Sequence, residues 1–206
     1  TDHGVLQAFP EAFAAAQKQG IKLIPGCEAY LIDDMAQVVE RADGRELADA
    51  AFVVLDVETT GLNPALDQII EIGAVRFEKG VEVAEFSQLI HPQRPIPPDS
   101  TKIHHITDAM VRGMPAIGEV IGRFADFCRG AVLVAHNAAF DMAFFSRAFG
   151  QAGLPFDHPK LDTLTLMRNA YPGQRSYKLG NLCKLLGIRL DNAHRAVHDE
   201  REQDRA

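Results

Sequence analysis

The sequence predicts an α/β fold: a mixed β-sheet flanked by helices, preceded by part of a second domain. Short alternating strands come first, at 51–91, and strands alternate with helices from about residue 116 onward. Strands followed by strand–helix alternation are typical of a mixed sheet covered by helices. The run at 131–135 is apolar throughout, which is typical of a central parallel strand.

The N-terminal part is predicted to be a small helix–strand unit. The stretch 8–19 should form a helix that ends at Gly20, because glycine commonly follows the last helical residue. Strands are expected at 21–24 and 28–32. Together they form a short unit ahead of the main domain.

Three segments follow one another along the chain. Residues 1–34 are the partial N-terminal domain, and the charged stretch 35–49, which lacks a strong period, is interpreted as a linker. The main domain is predicted to span residues 50–206.

A meander of three strands opens the main domain. Strands are predicted at 51–57, 68–77 and 81–91, and the last two are joined by a turn at 78–80 that contains a glycine. Alternating strands around such a turn are typical of a hairpin. A proline-rich loop at 92–98 ends the meander.

Helices dominate the rest of the chain. Apolar residues at helical spacing predict a helix at 116–128, and they are Ile117, Val120, Ile121, Phe124 and Phe127. Further helices are expected at 138–149, at 163–171, at 178–186 and from residue 196 onward.

Composition narrows the function classes. The apolar share of 47% is ordinary for a globular protein, and no apolar run approaches the roughly 20 residues of a membrane span. The net charge of -7 argues against a protein that grips a long nucleic-acid duplex. It does not argue against a nuclease, because bound divalent cations would supply positive charge to an acidic site.

The cysteines and the first residue bear on context. Three widely spaced cysteines fit neither a metal knuckle nor a disulfide framework, so we expect reduced thiols and a cytoplasmic location. The sequence begins with Thr1, so we expect a piece of a longer protein.

Asp56 and Glu58 form the first acidic motif, at the end of the predicted strand 51–57. Alternate strand residues point to the same face, so both carboxylates should project together. Buried carboxylates need a shared proton or a cation, and hard divalent cations prefer oxygen ligands. Two solvated acids at a strand end are the alternative for an isolated motif of this kind.

Asp141 belongs to the second acidic motif, His136 to Asp141, where the apolar strand meets a helix. Asn137 is a candidate N-cap of that helix, and Asp141 follows one turn later. The alternative is a capping asparagine followed by an incidental surface acid.

His194 and Asp199 form the third motif. Five residues do not place two side chains on one helix face, so we place His194 on a loop and Asp199 in the first turn of the next helix. A histidine with a pKa near 6.5 suits a general base that takes a proton from water.

Four acids and one base are the parts that two-metal phosphodiester hydrolysis needs. No Gly-x-Ser-x-Gly motif supports a serine nucleophile.

In order and spacing, these three motifs resemble those of the DEDDh family of 3′-to-5′ exonucleases. The resemblance implies a ribonuclease-H-like sheet. It also implies two Mg²⁺ or Mn²⁺ ions, with His194 as general base. The implied metal ligands, which also count as catalytic residues, are Asp56, Glu58, Asp141 and Asp199.

The same resemblance implies a site for the terminal nucleotide. Thr59 and Thr60 would hold the nucleotide through the backbone, and Leu62 would wedge beside the base. Phe140 would pack on the sugar or base, with Asn137 close to the phosphate. His104, in a more loosely matching segment, falls on a position that lines the terminal nucleotide.

The first residues resemble part of the polymerase and histidinol phosphatase (PHP) domain. By motif matching, His3 and Glu28 would be metal ligands. Two ligands do not make the multinuclear cluster of that domain, so we expect the segment to be catalytically silent.

A partial PHP segment followed by a DEDDh exonuclease is similar to the arrangement in PolC-type bacterial DNA polymerase III. This resemblance implies proofreading, in which a frayed DNA 3′ end enters as a single strand and loses its last nucleotide as a monophosphate. The implied partners are the single-stranded 3′ end, the rest of the polymerase chain and the replisome, with no membrane.

Two alternatives remain open from the sequence. The same site could trim RNA 3′ ends, since selection depends on contacts to the 2′-OH. The chain could also be a non-catalytic fragment that binds DNA ends or polymerase partners.

Overall fold

The computed structural model describes residues 2–3, 9–24, 27–28 and 38–188. The chain divides into two compact units, Thr1–Ala36 and Gln37–Ala206. None of the helices in the described ranges is long and apolar enough to cross a membrane.

In residues 2–3, 9–24 and 27–28, the part of the first unit that the structure describes, there are two short strands and one helix. Strand β1 (Asp2–His3) pairs in parallel with β2 (Cys27–Glu28), and helix α1 (Phe9–Gln19) agrees with the predicted helix to within one residue.

The strand predicted at 21–24 is wrong, because this stretch has no regular structure. The N–H of Ile21 donates to the carbonyl of Ala16, and Gly20 has a φ of 62°, so Ile21 takes part in a Schellman motif at the end of α1. Ile24 is 79% exposed, with no strand beside it among the described residues.

A six-stranded mixed sheet forms the centre of the second unit. Its order is β3-β8-β7-β4-β5-β6; β4 is antiparallel to β5 and parallel to β7, and β8 is parallel to β7. The strands are β3 (Val39–Glu40), β4 (Ala51–Thr59), β5 (Ile69–Glu78), β6 (Val81–Leu89), β7 (Ala131–Ala135) and β8 (Lys160–Asp162).

Six helices accompany this sheet in the described part of the chain. They are α2 (Pro98–His104), α3 (Asp108–Val111), α4 (Ile117–Phe127), α5 (Ala139–Gln151), α6 (Thr163–Ala170) and α7 (Leu179–Leu186).

The main core lies between the sheet and helices α4 and α5. Val53, Leu55 and Val57 alternate along β4 and are buried. The rings of Phe124 on α4 and Phe145 on α5 stack at 4.7 Å between centroids. Burying one such side chain stabilises the fold by about 1.5–3 kcal/mol, so this face fixes the direction in which every residue of β4 points.

Several short elements differ from the sequence prediction. Val39–Glu40, within the stretch interpreted as a linker, pairs with β8 as an edge strand. Helix α2 begins with Pro98, the last residue of the predicted proline-rich loop, since proline suits the first helical position. Such elements are too short to show a period in the sequence.

Candidate active site

The carboxyl end of β4 carries the first acidic motif. Because β4 alternates, Asp56 and Glu58 point away from the face on which Leu55 and Val57 are buried. Pairing with β7 covers only Ala51–Val54. Both acids therefore lie beyond the part of β4 that pairs with β7, although β5 pairs with both positions. Asp56 is exposed, whereas Glu58 is half-buried.

Asp141 joins this strand end from the first turn of α5. Its side chain is 3% exposed, and Oδ1 accepts the backbone N–H of Val57 at 3.2 Å. Pairing between β4 and β7 ends at Val54, before this N–H. The carboxylate therefore accepts a backbone donor that β7 does not pair with. The fold thus brings together the acids of the first two motifs, which are 85 residues apart from Asp56 to Asp141 (141 − 56).

Burial and mutual repulsion raise the pKa values of two of these acids. Burial, followed by the charges of Asp56, Glu71 and Asp141, raises the pKa of Glu58 to about 8. Burial and then the charge of Asp56 raise the pKa of Asp141 to about 7, although the N–H of Val57 opposes this shift. The site therefore concentrates negative charge that a bound cation would stabilise.

Glu71 is a further acid that the sequence analysis did not single out. It lies opposite Glu58 in the β4–β5 register and is 2% exposed. Its charge contributes to the raised pKa of Glu58. The sequence signal that could have identified Glu71 is its position as a carboxylate inside the strand predicted at 68–77.

The donor set fits hard divalent cations, because Asp56, Glu58 and Asp141 offer only carboxylate oxygens and repel one another. Within residues 38–188 and the shorter described ranges, no three histidine, cysteine, aspartate or glutamate side chains form a metal site by themselves. The described acids can therefore supply part of a cation site, and a further ligand would have to complete it.

The loop after β4 is organised by Asp67. The hydroxyl of Thr60 donates to Asp67 Oδ1 at 3.2 Å, and the backbone N–H of Asn63 donates to Oδ2 at 3.0 Å. A Cβ on Gly61 would lie 2.5 Å from Asp67 Oδ2, so this close approach requires glycine. Leu62 at the tip is 83% exposed. The loop thus presents an apolar side chain from a fixed backbone.

Helix α2 packs beside this loop. Ser100 Oγ donates to the carbonyl of Thr60 at 3.0 Å. His104 is 2% exposed, and its Nδ1 accepts the N–H of Ile106 at 3.0 Å. Burial and then the charge of His105 lower the pKa of His104, while the backbone of Thr59 opposes the shift. His104 therefore lies next to the predicted nucleotide loop as a neutral side chain.

His105 adopts an unusual backbone conformation. It is exposed and has a φ of 61°, in the left-handed region that favours glycine. It ends α2, and its N–H donates to the carbonyl of Thr101 at 2.8 Å. The left-handed residue thus ends the helix directly after the buried His104.

Asn137 does not cap α5, which corrects the sequence prediction. Ala138 is the N-cap residue, and no side chain caps the helix there. Asn137 is exposed with a φ of 67°, and its N–H and that of Ala138 donate to Asp162 Oδ1 at 3.0 and 3.3 Å. The carboxylate that accepts these two N–H groups belongs to β8. Phe140 is half-buried, with its ring 5.1 Å from that of Phe144.

Asp162 was missed as a functional residue by the sequence analysis. It caps α6, accepting the N–H of Leu164 at 2.9 Å, as well as holding the turn after β7. An aspartate directly before the helix predicted at 163–171 was a sequence signal for the cap. Its contact with the turn depends on the pairing of β7 with β8, which the sequence did not reveal.

His136 is used structurally. Its Nδ1 lies 3.0 Å from Thr163 Oγ1, and its Nε2 lies 3.0 Å from the carbonyl of Tyr177. Because a carbonyl only accepts, Nε2 donates to Tyr177, while the Thr163 hydroxyl donates to the carbonyl of Ala135 at 3.2 Å. Both nitrogens are therefore engaged away from the acids.

The remaining predicted residues are not described as side chains. His194 and Asp199 lie outside the described residues. The backbones of His3 and Glu28 lie opposite each other in the paired strands β1 and β2. Their roles remain predictions.

Comparison with known proteins identifies relatives at two levels. The model of the RNase_T exonuclease family matches residues 53–203. The chain is 44% identical over 200 residues to a DNA polymerase III PolC-type of Halalkalibacterium halodurans, and 45% identical over 199 residues to that of Clostridium perfringens. These matches cover 97% of this chain and 14% of each relative, so the chain spans about a seventh of the length of these relatives.

Solved structures of E. coli Exonuclease I share the fold. The complex with a dT13 oligonucleotide has a TM-score of 0.64 at 22% identity, covering 72% of this chain and 38% of that one. A zinc-bound form with single-stranded DNA matches with the same TM-score and identity. The predicted ribonuclease-H-like fold, a mixed sheet flanked by helices, is confirmed.

Proposed function

The chain belongs to the RNase_T exonuclease family, and from this premise we propose that it is a metal-dependent 3′-to-5′ exonuclease acting on DNA. It removes terminal nucleotides from single-stranded or frayed 3′ ends as monophosphates. The observation that carries the proposal is the bond from the Val57 N–H to Asp141 Oδ1, because it joins two acidic motifs at the end of one strand.

Four carboxylates would hold the cations in this proposal. Asp56, Glu58 and Asp141 supply three of them, and Asp199, outside the described residues, supplies the fourth. Two Mg²⁺ or Mn²⁺ ions, when bound, would activate a water molecule and neutralise charge at the leaving oxygen. Since metal ligands must be deprotonated, the raised pKa values mean that binding releases protons from the site.

His194 would take the proton from the attacking water. General bases typically contribute 10²- to 10⁴-fold to a rate. The motif match supports this role for His194, and the role requires that residues 194–199 approach β4.

The loop after β4 would bind the terminal nucleotide. Thr59 and Thr60 are buried at its base, and Leu62 is exposed at its tip where it would wedge beside a base. His104 and Ser100 support the loop from α2. On the other side, Phe140 and Asn137 would contact the sugar and the phosphate.

Proofreading for a replicative DNA polymerase is the biological role that we propose. Its support is the similarity to two proteins named DNA polymerase III PolC-type. The partners would be a single-stranded DNA 3′ end, the rest of the polymerase chain and the replisome, in the cytoplasm. Support for single-stranded DNA is that structures of Exonuclease I, which shares the fold, contain DNA oligonucleotides.

The test is a time course with single-stranded DNA labelled at its 5′ end and an RNA of the same sequence, in Mn²⁺ and in EDTA. Shortening of the labelled DNA one nucleotide at a time, in Mn²⁺ only, is expected. Faster cleavage of RNA would overturn the DNA assignment. Binding of either strand without cleavage would overturn the enzyme and favour a binding module.

A further inference from the structure

The turn between β7 and α5 decides where Asp141 lies. Only residues 136–138 separate the two elements, and Asp141 is the third residue of the helix. Asn137 in this turn has a φ of 67°, a region that non-glycine residues adopt at a cost unless the surroundings hold them there. A shift of the turn would move the helix start and, with it, the carboxylate.

Asp162 is the side chain that holds this turn. Its Oδ1 accepts the N–H groups of Asn137 and Ala138 at 3.0 and 3.3 Å. These donors precede α5, where no helical carbonyl is available to accept them. Hydrogen bonds to a charged acceptor are stronger than neutral ones, so the carboxylate compensates for the strained backbone.

Asp162 is itself fixed from three directions. Its Oδ1 also accepts the N–H of Leu164 at 2.9 Å, and its Oδ2 accepts the hydroxyl of Thr165 at 3.0 Å. Its own N–H donates to the carbonyl of Val38 at 3.2 Å, next to the edge strand β3. In the register of β7 and β8 it lies opposite Ala135, the residue before the turn.

We propose that Asp162 is a positioning residue for the exonuclease site, which holds the β7–α5 turn so that Asp141 reaches β4. Asp162 touches no reacting atom in this role. It positions the turn because Oδ1 accepts the N–H of Asn137 while Oδ1 and Oδ2 also accept hydrogen bonds from Leu164 and Thr165 on α6. The inference rests on the proposed function for its effect on cleavage, but not for its effect on the position of Asp141.

Two variants separate geometry from charge. Asp162→Asn keeps Oδ1 as acceptor and replaces Oδ2 by an amide that donates to the Thr165 hydroxyl, so geometry survives and charge is lost. Asp162→Glu keeps the charge but lengthens the side chain by one methylene. Thr165→Val is the matched control, because it removes only a contact on the α6 side.

Three readouts are measured on variants whose folding is verified by thermal unfolding. They are hydrogen exchange of the Val57 amide, Mn²⁺ binding without DNA, and kcat and KM for single-stranded DNA. Asp162→Glu should speed exchange of the Val57 amide, weaken Mn²⁺ binding, and lower kcat by about 100-fold with KM little changed, as misplaced groups do. Asp162→Asn should restore all three readouts to within a few-fold of the unmodified chain.

Two results would overturn the inference: an Asp162→Glu variant that keeps the Val57 protection and kcat, or a folded Asp162→Asn variant with the exchange and kcat loss expected of Glu. If Asp162→Glu does not fold, the test depends on Asp162→Asn. A folded Asn variant that keeps the Val57 protection and kcat supports the inference, and one that loses them overturns it. Absence of cleavage by the unmodified chain would instead refute the proposed function, and the exchange of Val57 would still test the position of Asp141.

Discussion

The loop after β4 and the turn after β7 both carry candidate site residues, and each is held by an aspartate that is not a proposed ligand. In the first, Asp67 lies within the loop and binds groups four and seven residues before it. In the second, Asp162 comes from a neighbouring strand, 25 residues from Asn137. The nucleotide loop is thus shaped locally, whereas the position of Asp141 depends on the order of strands in the sheet.

The nucleotide loop should tolerate changes in the sheet better than the turn after β7. The loop after β4 is held by Asp67 within it and by the bond from Ser100 Oγ to the Thr60 carbonyl, and neither contact involves β8. The turn after β7 additionally needs β8 to be paired with β7. Substitutions that disturb the sheet should therefore displace Asp141 more than they displace the nucleotide loop.

The largest effect is expected at Asp141. Asp141→Asn keeps an acceptor for the Val57 N–H but removes a carboxylate that would bind metal. Replacing a residue that only orients a metal ligand typically lowers activity by about 10- to 100-fold, so loss of a ligand itself should lower cleavage by more than about 100-fold. At pH 5, below the raised pKa of Asp141, stability should stay near that of the unmodified chain. Single-turnover cleavage and urea unfolding measure the two quantities.

Asp141→Ala separates the two roles of this side chain. It also leaves the buried Val57 N–H without its acceptor, which costs about 1–3 kcal/mol. Equal stability of the Asn and Ala variants would show that the bond does not hold the strand end.

A smaller effect is expected at Asp67. Asp67→Ala removes the acceptor of Thr60 and Asn63 and loosens the nucleotide loop. KM for single-stranded DNA should rise about tenfold, which corresponds to about 1.4 kcal/mol, with kcat little changed. Steady-state kinetics measure both constants. The control is Asp99→Ala, which removes an exposed acid in α2. A fall in kcat at unchanged KM would mean that the loop positions the chemistry.

Gly61→Ala should reproduce the Asp67→Ala result. The added Cβ would meet the Asp67 carboxylate at 2.5 Å, so the carboxylate must move from its present position beside Thr60 and Asn63. Wild-type kinetics with Gly61→Ala would contradict the fixed geometry of the loop.

The smallest effect concerns pH and stability in EDTA. The carboxyl of Glu58 has a pKa of about 8 in the folded chain and about 4.3 when unfolded, so between these values the folded state holds one more proton. Stability contributed by this group is therefore complete below about pH 4 and decreases as the pH rises to about 8. Asp141, with a pKa of about 7, adds to the same decrease.

Glu58→Gln should remove its part of this decrease. At pH 8 in EDTA the variant should melt higher than the unmodified chain, by roughly 2–4 °C for each kcal/mol of stabilisation in a chain of this size. Thermal unfolding from pH 5 to pH 8 measures the difference. A variant that loses stability with pH as steeply as the unmodified chain would contradict the raised pKa of Glu58.

Strong sequence patterns predicted β7, α4 and α5, of which α5 carries Asp141. The strand at 131–135 agrees with β7 at both ends, and the helices at 116–128 and 138–149 agree with α4 and α5 to within two residues. Each is a long or wholly apolar run that buries one face. The placement of Asp56, Glu58 and Asp141 near one another follows from these elements.

Contacts between distant segments could not be predicted in the same way. Strand β8 has three residues and β3 has two, so neither shows a period. Without β8 next to β7, Asn137 was assigned as the cap and Asp162 was not considered for the turn. The Asp67 network also escaped the prediction, because it depends on a turn that brings Thr60 next to Asp67.

The central claim is that the acids at the end of β4 carry metal-dependent cleavage. The direct measurement is release of nucleoside monophosphate from single-stranded DNA in Mn²⁺ by the unmodified chain, by Asp56→Asn, and by Glu85→Gln, which changes an exposed acid on β6. We expect release by the unmodified chain and Glu85→Gln and none above background by Asp56→Asn. Equal release by Asp56→Asn would contradict the account.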